Sequence, residues 1–107
     1  THRDSIRRAI AAGVKVAMGT DSGVTPHGQN LRELEQMVAC GMTPAAALTA
    51  ATRTAAQLMG LVDDRGSLEP GKRADLVITR GAPLDIADLR SRIRWVVQAG
   101  NVVVANP

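Results

Sequence analysis

The sequence predicts an α/β chain: helix, strand, loop and two helices first, then a small antiparallel β unit. Three observations carry this. Apolar residues recur at helical spacing on both sides of a short valine-rich run. That run ends in a glycine-rich loop. After residue 61 the pattern changes to short apolar runs separated by turn formers.

The elements follow in order. Residues 4–12 read as a helix, with Ile6, Ala9 and Ile10 on one side and Gly13 at the C-terminal cap position. Residues 14–18 read as a strand of the kind buried on both faces, interrupted only by Lys15. Residues 19–29, GTDSGVTPHGQ, form a loop. A second helix starts at Asn30, which stands in capping-box spacing with Glu33. Its stripe is Leu31, Leu34, Met37 and Val38, and Gly41 stops it. Thr43-Pro44 supplies an N-cap and a first-turn proline for a third helix. That helix carries Leu48, Ala51, Ala55 and Leu58 on one face and ends at Gly60.

In the second half, Ser67-Leu68 is expected to begin a short strand, and Pro70-Gly71 suits the centre of a type II turn. Residues 74–79, ADLVIT, are a strand, and residues 81–90 are irregular with one short helical turn. Residues 92–98 alternate, with Ile93, Trp95 and Val97 on one face. Ala99-Gly100 then turns the chain into a return strand over 101–104. A lone strand flanked by helices cannot make a sheet. The strand at 14–18 must find neighbours in a longer chain or in another copy.

Composition narrows the function classes. The chain has 107 residues, 45% apolar and 21% charged, a globular profile. No apolar run approaches the ~18 residues of a bilayer-spanning helix. The arginines near the N-terminus are not followed by the apolar stretch of a secretory signal. Thirteen basic and ten acidic residues leave a net charge of +3. The bases are scattered and Trp95 is the sole aromatic, which argues against nucleic acid as a partner. Cys40, the single cysteine, excludes an internal disulfide and suits a reducing, cytoplasmic setting.

Asp21 leads the residues that could carry chemistry. It follows the end of a buried-type strand, where α/β folds place their sites. There it could bind a divalent cation or accept a proton from water. Capping a turn explains the same position equally well. His27 could bind a metal or a substrate group, but a lone loop histidine is more often simply solvated. His2 is incidental, Cys40 reads as a buried inert thiol, and Ser22 has no base beside it. Asp63 and Asp64 read as solvated loop charges, and Asp75 as an acceptor for the turn before it. Arg90, Arg92 and Arg94 are expected on one exposed strand face.

Two segments go beyond pattern. AGVKVAMGTDSG, residues 12–23, resembles the last barrel strand of the amidohydrolase superfamily. GSLEPGKRADLVI, residues 66–78, resembles that superfamily's return from the barrel to a small β-sandwich. The helices between them and the hairpin RWVVQAGNVVV fit in order and spacing, so the likeness covers nearly the whole chain. TDSGVTPHGQNLRELE is most similar to the branch related to imidazolonepropionase, which includes Xaa-Pro dipeptidases.

The resemblance implies the C-terminal βα unit of a TIM-barrel metallohydrolase over residues 1–61 and part of a β-sandwich over 62–107. It implies hydrolysis of an amide, peptide or related C–N bond by metal-activated water, with one or two divalent ions, commonly zinc. Asp21 matches the carboxylate that takes the water's proton and often ligates the metal. His27 would lie near the substrate. The family's H-x-H motif, its bridging lysine and its two later histidines are not in this sequence. They are expected upstream of Thr1. One carboxylate cannot hold a catalytic zinc, which has three protein ligands, so the chain alone is expected to be inactive and to bind metal weakly. The expected partners are a small amide or peptide substrate and the missing N-terminal barrel section, with no nucleic acid or membrane and a homo-oligomer left open.

Two rivals stand beside this reading. Asp21-Ser22-Gly23 matches the D-[ST]-G signature of retroviral-type aspartic proteases, but those are nearly all β and two helices follow the motif here. The other is a non-catalytic interaction module derived from a barrel.

Overall fold

The computed structural model describes residues 2–19 and 30–106. Four helices come first: α1 (His2–Ala11), α2 (Arg32–Ala39), α3 (Pro44–Ala51) and α4 (Arg53–Leu58). Three strands follow: β1 (Leu76–Thr79), β2 (Ile93–Gln98) and β3 (Asn101–Ala105), with a 3-10 turn at Leu89–Arg92 before β2. Among the described residues the strands form one antiparallel sheet in the order β1-β2-β3.

The helix stops lie where the sequence places them. At the end of α2, Gly41 takes φ 110°. Its N–H donates to the Val38 carbonyl, and Met42 N–H donates to Met37. This pair of bonds is a Schellman motif, which satisfies carbonyls that the helix end leaves open. Gly13 and Gly60 close α1 and α4 by the same pair of bonds. At the start of α3, Thr43 Oγ1 accepts from Ala46 N–H at 3.1 Å, with Pro44 at the first helical position.

Several expectations change. α2 begins at Arg32, and its N-cap Leu31 makes no side-chain cap bond. Glu33 N–H donates to the Asn30 carbonyl at 3.1 Å in a tight turn just ahead of the helix. The third helix breaks at Thr52, whose φ of −122° and ψ of −86° leave the helical region. Thr49 and Thr52 hydroxyls return to the Ala45 and Leu48 carbonyls, a bonding pattern that bends helices. Gly66 fits into the break. A Cβ on it would meet the Ala56 Cβ at 2.6 Å.

Residues 14–18 join no ladder, because no described strand lies beside them. Ser67-Leu68 is not a strand either. Ser67 Oγ instead accepts from Lys72 Nζ at 2.7 Å, across the turn at Pro70-Gly71. That turn is type II as expected: Lys72 N–H donates to the Glu69 carbonyl, with Gly71 at φ 89°.

The core lies between α2, α3 and the segment that leads into β2. Leu34, Met37, Ala47, Ala50, Ile86 and Leu89 are buried together. Ala47 and Ala50 are buried in this core and Leu48 and Ala51 of the expected face pack partly against it, while Leu58, past the break, is 77% exposed. The helix break changes the face that later residues present.

Arg92 holds the connection between β1 and β2. Its guanidinium donates to the carbonyls of Arg80, Ala82 and Asp85. Arg94 donates to the Asn106 carbonyl, and Arg90 lies in the 3-10 turn. The three arginines therefore do not share one exposed strand face. The chain leaves extended geometry before β2, so the alternation assumed for them starts only at Ile93.

Candidate functional site

Asp21 and His27 lie outside the described residues, as does Ser22. The segments on either side of residues 20–29 are described. On the incoming side, Val16 and Met18 pack against the buried cluster. Met18 N–H also donates to the Ala50 carbonyl at 3.1 Å. Ala50 is in the last turn of α3, where carbonyls have no partner within their own helix. The break at Thr52 thus leaves an acceptor for the segment that leads to Asp21.

On the outgoing side, Leu31 packs against the same cluster and Leu34 lies within it at 1% exposure. Leu34 N–H donates to the Leu31 carbonyl at 3.2 Å. One hydrophobic cluster thus holds the segments on both sides of residues 20–29. Ala47 and Ala50 are small enough to let the incoming segment approach α3.

The other candidates resolve into scaffold. Cys40 is buried at the end of α2, as expected for an inert thiol. Asp63 is exposed, but Asp64 is not merely solvated. Asp64 pairs with Arg65 at 2.9 Å and with Arg73 at 3.6 Å, and its carbonyl accepts from Arg73 N–H. Asp75 accepts from Ala99 N–H at 2.8 Å. Its partner is the β2–β3 hairpin turn, not the turn that precedes it in sequence. Glu69 pairs with Lys72 at 3.0 Å, and the hydrogen bond and charge of that ammonium hold its carboxyl below the ordinary glutamate value.

These groups serve local structure. Among the described residues, no three His, Cys, Asp or Glu side chains come together in a way that could hold a metal ion. A catalytic metal therefore needs donors beyond them. No described helix is long and apolar enough to cross a membrane.

The amidohydrolase family model matches residues 1–106. The chain belongs to the amidohydrolase family. The imidazolonepropionase of Deinococcus deserti is 43% identical over 105 residues, covering 91% of this chain and 26% of that protein. The imidazolonepropionase of Geobacillus kaustophilus is 49% identical over 75 residues, covering 67% of this chain and 18% of that protein. Among solved structures, a Xaa-Pro dipeptidase with bound methionine superimposes with a TM-score of 0.88 at 38% identity, covering 94% of this chain and 25% of that one. An amidohydrolase from Thermotoga maritima gives 0.81 at 29% identity, covering 97% of this chain and 26% of that one. This amidohydrolase chain spans about a quarter of the length of relatives that match most of it. The aspartic protease reading loses its support, since the match runs through the D-S-G segment and well past it.

Proposed function

We propose that the chain is the C-terminal section of a hydrolase of C–N bonds and that Asp21 is its catalytic carboxylate. The observation that carries the reading is the family match across residues 1–106 together with 43% identity over 105 residues to an imidazolonepropionase. Both imidazolonepropionase and Xaa-Pro dipeptidase are relatives, so the substrate class is an amide, a peptide or a related C–N bond. Residues 1–61 would supply the last helix–strand–helix section of a TIM barrel, and residues 62–107 part of the β-sandwich.

In this reading, Asp21 accepts a proton from the attacking water and returns it to the leaving nitrogen. A carboxylate suits both steps, provided its pKa lies near the working pH. A divalent metal, zinc in this reading, would supply Lewis acidity, with Asp21 as one ligand and the others upstream of Thr1. His27 would contact substrate. The chain's described residues contribute by packing the segments on both sides of Asp21 and His27 against one core.

The test starts with sequencing the source DNA upstream of the Thr1 codon, where this reading expects the frame to continue. It is expected to encode an H-x-H motif, a lysine and two separated histidines. In that enzyme, Asp21→Asn should lower turnover by several orders of magnitude with folding intact, as judged by circular dichroism. Near-normal turnover in the variant would overturn the role assigned to Asp21.

A further inference from the structure

We draw no further inference here: the strongest candidate, the exposed apolar residues on the two faces of the β1–β2–β3 sheet, Val77 and Val104 on one and Ile78 and Val102 on the other, carries nothing because nothing in the structure shows what covers them.

Discussion

Asp75 joins two parts of the sheet that are distant in sequence. Its carboxylate accepts from Ala99 N–H, while the Ala74 carbonyl accepts from Gly100 N–H at 3.0 Å. The two residues just before β1 therefore hold the tip of the β2–β3 hairpin. Ala99 sits there at φ 49°, a conformation that costs an L-residue about 1–2 kcal/mol. Urea denaturation should find Asp75→Ala destabilised by roughly 0.5–1.5 kcal/mol, because the exposed Ala99 N–H exchanges its carboxylate acceptor for water. Ala99→Gly should gain about 1 kcal/mol by relieving the backbone. A neutral Asp75→Ala would mean that the bond does not contribute.

Glu69 gives a pH prediction of defined sign. Lys72 lowers its folded-state pKa, so the pair's stabilisation is present above the unfolded value and is lost as pH falls through the folded value. Glu69 is exposed, so the effect on stability is small. An NMR titration should place the Glu69 midpoint below that of an ordinary glutamate, and Lys72→Met should move it up. An unchanged midpoint in Lys72→Met would assign the shift to other neighbours.

At the scale of elements, the break between α3 and α4 couples helix geometry to the loop stem. A continuous helix would direct the Ala50 carbonyl to Thr54 N–H, whereas here Met18 N–H uses it. Thr52→Ala removes the hydroxyl that bonds the Leu48 carbonyl and introduces a better helix former. The expected outcome is higher helicity by circular dichroism and faster hydrogen exchange at the Met18 amide. Unchanged protection at Met18 would show that the core contacts of Val16 and Met18 hold the stem without that bond. The second half has its own device in Arg92, whose three carbonyl partners bring the β1–β2 connection back toward the helices. That return carries Ile86 and Leu89 into the core.

The whole molecule has more apolar surface than its core covers. Leu34 is the sole large side chain that is fully buried among the described residues. Val77, Val102 and Val103 are each more than half exposed on the sheet, as are Met59 and Leu68 outside it. The radius of gyration is 14.4 Å, against about 13 Å for a compact domain of this length. Relatives that match most of the chain are about four times as long. Metal binding should reflect the missing donors. Calorimetric titration of zinc into the 107-residue chain is expected to show no one-to-one site tighter than roughly micromolar. A tight stoichiometric site would overturn the view that the other ligands come from outside the chain.

Much of this was legible from local sequence, because local interactions decide it. Gly13, Gly41 and Gly60 stop helices by their own backbone freedom, Thr43-Pro44 starts α3, Pro70-Gly71 makes its turn with a short-range bond, and Ala99-Gly100 lies between two adjacent paired strands. The family resemblance was legible too, because its two segments keep both composition and spacing. Asp21 was named from its motif, and its geometry lies outside the described residues. Tertiary structure decided the rest. Whether residues 14–18 form a strand depends on partners, and no described strand lies beside them. The break at Thr52 changes the face that later residues present, and Gly66, from another part of the chain, packs closely against it. Asp64 and Arg92 look like solvent-facing charges in sequence and Asp75 like an acceptor for the turn before it, yet each holds a backbone or side-chain group of another segment. No local pattern encodes these roles, because each partner is brought near only when the chain folds.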